Sequence, residues 1–147
     1  VGGSYGSPPT EIFTGSQRPQ LRTAIDLEID EFGNIFVLTE EGVVLKFRGG
    51  QPQDFAFSAF PDGHSITSAQ SMYLNDSPTS RNFYVVNRPT RMIYEVSLSG
   101  TFRAAYSIYN DDYFEMLTAV AAAPGRGGRE LIYAISGNAV FGFEIGN

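Results

Sequence analysis

The sequence predicts an all-β chain built from three repeats of short antiparallel strands, and three observations predict it. Short apolar segments recur at a fixed interval: Phe36, Tyr84 and Tyr133 take the same place in successive segments, 48 and then 49 residues apart. Clusters of Gly, Asn, Asp and Ser separate them, residues that close turns because they reach positive φ or hydrogen-bond their own backbone. No apolar run approaches the ~20 residues of a membrane span. The 147-residue chain, 42% hydrophobic, is long enough to bury a core of its own. It has no cysteine, so disulfides and thiolate metal sites are excluded.

Each repeat divides into strands A, B, C and D. The A strands are Ala24–Ile29, Ala69–Leu74 and Thr118–Ala123, opened by Thr23, Thr67 and Thr118. The B strands, Ile35–Thr39, Phe83–Val86 and Leu131–Ile135, are continuously apolar, which suits strands covered on both faces. The C strands are Val43–Arg48, Met92–Ser97 and Ala139–Ile145. Two D strands follow, Phe55–Phe60 and Thr101–Ile108, and the third repeat has none. The stretch "TEIFTG", Thr10–Gly15, lies ten residues before the first Thr anchor, as the end of the second D strand lies ten before the third. It is therefore expected to be an orphan outer strand. The resulting order, D-ABCD-ABCD-ABC, adds up to three four-stranded antiparallel sheets.

This arithmetic divides the chain into a flexible lead-in at 1–9, the orphan strand at 10–15, and repeats at 23–60, 67–108 and 118–147. Four antiparallel strands every ~45–50 residues is the spacing of a β-propeller blade. "FEMLTAVAAAP" has helical propensity. The repeat register assigns it to a strand instead, and a crowded innermost strand favours small side chains such as Ala119, Ala121, Ala122 and Ala123.

The phrase "IDLEIDEFGNIFVLTEEGVVLKF" resembles the NHL-type blade: a hydrophobic strand, Asp-x-x-Gly-Asn, then an Ile-Tyr-Val-like strand. The resemblance covers Ala24–Phe47 well. It is looser over Ser68–Val96, where "NDSPTSRN" replaces the Gly-Asn turn, and over Thr118–Ile145, where "PGRGGRE" does. It implies propeller blades and is nearly silent on activity, since such blades serve as binding platforms, enzymes and structural parts alike. In blades of this kind the Asp30–Asn34 turn is structural, with Asp30 capping backbone N–H groups and Gly33 taking φ > 0.

Propellers generally have four to eight blades, so three cannot close a ring. A four-stranded face covers on the order of 300 Å², which at ~25 cal/mol/Å² is worth up to roughly 7 kcal/mol. Two open ends are therefore expected to be covered. A second copy could close a ring of three plus three, or the same contact could run on as a filament. Alternatively, these residues are half of a longer polypeptide. Self-assembly would use Thr10, Glu11, Ile12, Phe13 and Thr14, donated to the edge beside Val140, Phe141, Phe143 and Ile145 in a neighbour.

Few residues offer chemistry. His64, the only histidine, lies in the turn "FPDGHS" and is expected to face solvent. "NDDYFE" brings Asp111, Asp112 and Glu115 together without the ligand rhythm of a calcium loop. "PGRGGRE" lacks the Lys-Ser/Thr of a phosphate-binding loop. Asn75-Asp76-Ser77 has the form of a glycosylation sequon. No catalytic residue, metal or cofactor is assigned. A hydrolase or lactonase resembling the six-bladed propellers would need a central cation held by Glu, Asn and Asp, and no such set is identified.

The B–C and D–A loops fall on one rim of a propeller and carry Arg18, Glu40, Glu41, Asp62, His64, Asn87, Arg88, Arg91, Asp111, Asp112 and Tyr113. Propellers resembling this one usually bind on that rim. The other rim takes residues 30–34, 49–54, 75–82 and 125–129. The net charge of −6 argues against a nucleic-acid backbone as partner. The expected function is a non-enzymatic, extracellular or periplasmic assembly module whose partner is itself. The alternative is a sensor half of a larger protein, binding a ligand, another protein or a glycan.

Overall fold

The computed structural model describes residues 6, 11–13, 21–77, 80–108 and 111–145, with Asp111 by its backbone alone. The chain is all-β. Its strands are β1 (Ala24–Ile29), β2 (Asn34–Thr39), β3 (Val44–Arg48), β4 (Gln51–Gln53), β5 (Ala69–Ser77), β6 (Ser80–Asn87), β7 (Met92–Ser97), β8 (Phe102–Tyr106), β9 (Leu117–Pro124), β10 (Glu130–Ser136) and β11 (Ala139–Ile145). They form three antiparallel sheets in simple chain order: β1-β2-β3-β4, β5-β6-β7-β8 and β9-β10-β11. Two short 3-10 turns, Asp111–Phe114 and Arg126–Gly128, interrupt the strands. No helix among those residues is long and apolar enough to cross a membrane.

The first hairpin shows why local sequence and sheet agree. Asp30 Oδ1 accepts the backbone N–H groups of Phe32 (3.0 Å) and Asn34 (2.8 Å), and Oδ2 accepts Asn34 Nδ2 at 2.6 Å. Gly33 takes φ +75° to complete the turn. The side chain replaces backbone partners that a tight turn leaves unmet, and β1 and β2 then pair from Ile29–Ile35 inward.

Strand alternation gives each sheet two faces, and the three sheets stack so that like faces play like roles. Phe36 on β2 and Tyr84 on β6 point forward to the next sheet. Phe83 on β6 and Ile132 on β10 point backward to the previous one. Between the first and second sheets Phe36, Leu38 and Val44 meet Met72, Leu74, Phe83 and Val85, with the Phe36 and Phe83 rings 4.8 Å apart. Between the second and third, Tyr84, Val86 and Ile93 meet Leu117, Val120, Ala122, Ile132 and Ala134. The A-type strands β1, β5 and β9 lie side by side. A hydrogen bond from the Met72 backbone N–H to the Asp26 side chain, Oδ2, at 2.9 Å ties the first two sheets.

Within "FEMLTAVAAAP", Leu117–Pro124 form β9, so the repeat register wins over helix propensity there: a strand pressed against β5 leaves room for alanine. Three expectations need correction. The first D strand is not Phe55–Phe60; Gly49 and Gly50, both at positive φ, turn the chain at once into β4, which pairs Gln53 with Lys46. Phe55, Phe57 and Phe60 then leave the sheet and pack against the core between the first two sheets. Burying three rings there outweighs further edge pairing. Second, the described residues of "NDSPTSRN" are strand and not loop: β5 and β6 run on as a ladder to Ser77↔Ser80. Third, Glu11, Ile12 and Phe13 are not in a strand, and Thr10, Thr14 and Gly15 lie outside the described residues. Of the lead-in at 1–9, only Gly6 is described.

Phe13 nonetheless lies where the repeat places it. Its ring packs 4.3 Å from that of Phe47, on the backward face of the first sheet. Phe57 and Ile108, also ten residues before an anchor, pack against the cores backing the second and third sheets.

Candidate functional site

The forward face of the third sheet and the backward face of the first are left without a sheet against them among the described residues. On the first sheet Ile25, Leu27 and Ile29 are exposed, the latter two at 57% each. On the third, Tyr133, Ile135 and Val140 are exposed, Val140 at 69%. Small residues of β9, Ala119 and Ala121, register beside Ile135 and Tyr133 on that face, and Gly142 lies opposite Tyr133. Tyr133 is the repeat partner of Phe36 and Tyr84; Ile35 is the partner of Phe83 and Ile132. The two open faces are thus the same two faces that pair at both internal junctions. The outer edge of β11 also pairs with no described strand.

The residues chosen for assembly on β11 divide. Val140 faces outward, whereas Phe141, Phe143 and Ile145 pack inward against the core between the second and third sheets. Alternation along one strand forces this split. Ile12 is exposed and Phe13 packs on Phe47.

The described residues of the expected binding rim stand in different surroundings. Glu40 joins Ile25, Ser68, Ala69 and Gln70 around a recess of about 210 Å³, and its carbonyl accepts Ala69 N–H at 3.0 Å. Glu41 accepts the Thr23 hydroxyl at 2.7 Å, which with neighbouring donors holds its carboxyl below the usual range. Asn87 is fully buried: its Oδ1 accepts Thr67 and Ser68 N–H at 3.1 Å each, and its Nδ2 donates to Thr90 at 2.8 Å and to the Ser65 carbonyl at 3.3 Å. It fixes the loop entering β5. Thr39 and Ser136, buried at the same repeat position, serve Val43 and Met116 N–H in the same manner.

His64 is not the solvent-facing turn residue expected from "PDGH". Its ring packs 5.9 Å from both Tyr94 and Phe102, with Nδ1 buried and unpartnered. Asp62, Arg88, Asp112 and Tyr113 are exposed; Arg91 sits in a turn at φ +53°. Arg18 lies outside the described residues, as does the Asp111 side chain. Asn75, the sequon residue, is 7% exposed with its amide donating to Glu130, so the folded chain has no room for a glycan there.

One recess is a feature that sequence reasoning missed. A cleft of about 530 Å³ opens between the second and third sheets, walled by the extended β5–β6 hairpin and the β9–β10 loop. Two carboxylates dominate it. Glu130 accepts hydrogen bonds from Asn75 Nδ2, from the Ser80 hydroxyl at 2.8 Å and from the Tyr84 hydroxyl at 2.5 Å. Glu95, buried on β7, accepts Asn82 Nδ2 at 2.7 Å and the Tyr106 hydroxyl. Burial, followed by these hydrogen bonds and the nearby negative charge, pushes both tyrosine hydroxyls far above their ordinary range. They remain donors at any working pH. Among the described residues neither carboxylate has an ion-pair partner.

The chain matches no protein-family model and no curated protein. Its function therefore has to be read from these faces and this cleft. Among the described residues no group of three or more His, Cys, Asp or Glu side chains converges to hold a metal ion.

Proposed function

We propose that the chain is an assembly module of NHL-like propeller blades that joins copies of itself head to tail. One observation carries this reading: the forward face of the third sheet and the β1 part of the backward face of the first expose apolar side chains, and they belong to the two kinds of face that pair within the chain, while Phe13 covers Phe47 on the rest of that backward face. A contact between two different surfaces is heterologous, so it closes into a ring when its rotation permits and otherwise continues as a filament. The six exposed apolar side chains named on the two faces amount to about three full burials. At ~1.5–3 kcal/mol each, that is about 5–9 kcal/mol of gross attraction, against which the loss of rigid-body freedom must be set. Association in the micromolar range fits that balance better than a permanent complex.

The N-terminal segment supports the same geometry. Phe13 lies against the first sheet as Ile108 lies against the core of the third, and the strand preceding Ile108 belongs to the second sheet's edge. By the same rule the residues around Phe13 would supply the edge strand missing beside β11 of a neighbouring copy.

The test is light scattering over a concentration series. A mass that rises above 16.1 kDa in whole multiples is the expected result. A monomer at every concentration refutes self-association and leaves the faces to further blades of a longer chain.

A further inference from the structure

We infer that the cleft between the second and third sheets binds a small organic cation through a primary ammonium group. This is independent of head-to-tail assembly, because the cleft belongs to an internal junction. The walls hold two carboxylates, Glu95 and Glu130, brought together from β7 and β10 with no cationic partner among the described residues. Taking carboxylates out of water is costly unless charge or donors compensate it. Here the compensation comes entirely from neutral groups, the amides of Asn75 and Asn82 and the hydroxyls of Ser80, Tyr84 and Tyr106.

That arrangement spends the donors on the walls and leaves acceptors over. Glu130 Oε2 already accepts two bonds, but Glu130 Oε1 and both oxygens of Glu95 accept one each and have room for another. Asn82, which lines the cleft and is 3% exposed, has an Oδ1 with no partner at all. An occupant suited to such walls donates hydrogen bonds, accepts none and is positively charged. A primary ammonium, with three donors and no acceptor, has those properties. A hard divalent cation fits less well, because it takes six to eight oxygen ligands and no third acidic group converges among the described residues. The volume suits a ligand larger than a lone ion. At the mouth Arg129 is held by Glu144 at 3.1 Å, and Arg103 is exposed, so the positive charges stay on the rim.

Titration calorimetry with 1,4-diaminobutane tests this, with 1,4-butanediol as the uncharged analogue of the same length and calcium chloride as the metal control. The diamine is expected to bind one per chain, and the diol at least about tenfold more weakly, for want of charge-assisted bonds. Glu95→Gln and Glu130→Gln should each weaken the diamine about tenfold in protein whose circular dichroism is unchanged. Arg103→Gln, an exposed change that leaves the fold alone, should tighten it about twofold by removing a like charge from the rim. Absence of diamine binding, equal binding of the diol, binding of calcium in its place, or weaker binding by Arg103→Gln would each overturn the assignment.

Discussion

Glu130→Ala should loosen the junction between the second and third sheets, and the structure sets the size of the effect. One carboxylate accepts three donors from the facing sheet: Asn75 Nδ2, the Ser80 hydroxyl and the Tyr84 hydroxyl. Tyr84 is fully buried and Asn75 nearly so, and a buried donor left without a partner costs about 1–3 kcal/mol. Ser80 borders the cleft, where water can replace the carboxylate. Removing a half-buried charge also returns part of its desolvation cost. The net expectation is a loss of about 2–3 kcal/mol, a large share of a domain's ~5–15 kcal/mol. Guanidinium unfolding followed by circular dichroism measures it, at one fixed protein concentration because the proposed association would add its own stabilisation. Tyr84→Phe alone should cost about 1 kcal/mol, and the double variant less than the sum, since both remove the same bond. A loss below about 0.5 kcal/mol for Glu130→Ala, or strict additivity, would refute the claim that this carboxylate ties the two sheets.

Other predictions follow from single contacts. Burial, with the nearby Asp26 charge, raises the Glu28 carboxyl above its usual range, although a hydrogen bond from the Leu74 backbone opposes this. The folded state therefore disfavours the ionised form: Glu28→Gln should stabilise modestly near neutral pH, and the gain should vanish as pH falls below the ordinary Glu range, where both states are protonated. Thermal unfolding at pH 7 and pH 3.5 reads the difference. Gly100 sits at φ +90°, and a methyl group there would lie 2.2 Å from the Ala56 carbonyl oxygen; Gly100→Ala should cost at least about 2 kcal/mol in denaturant. Leu27→Asp and Tyr133→Asp each put a charge on one open face; each should leave the monomer folded and abolish association in sedimentation velocity runs.

Much of this architecture was legible in the sequence because the repeat is structural. The interval between Phe36, Tyr84 and Tyr133 reflects one side chain doing one task, pointing forward, in three sheets. The Asp30–Asn34 turn was readable because its hydrogen bonds are local. What escaped was decided by tertiary packing. Gln51-Pro52-Gln53 carries no strand signal, yet the preceding glycines set it beside β3. The Phe residues at 55, 57 and 60 alternate too loosely to show that they leave the sheet for the core. The cleft was invisible for a related reason. Glu95 and Glu130 stand 35 positions apart in ordinary strand contexts, and only the junction brings them to one recess. Polar residues at the register of Asn82 and Glu95, on the face that Tyr84, Val86 and Ile93 make apolar, were the available signal.

The central claim is that the two open faces complement one another, and mixing the two charge variants tests it most directly. Leu27→Asp keeps the forward face of the third sheet intact; Tyr133→Asp keeps the backward face of the first. Head-to-tail pairing predicts that each variant alone sediments as a 16.1 kDa monomer, while the mixture forms a one-to-one dimer that grows no further. A mixture that stays monomeric, or either variant dimerising alone, would contradict it.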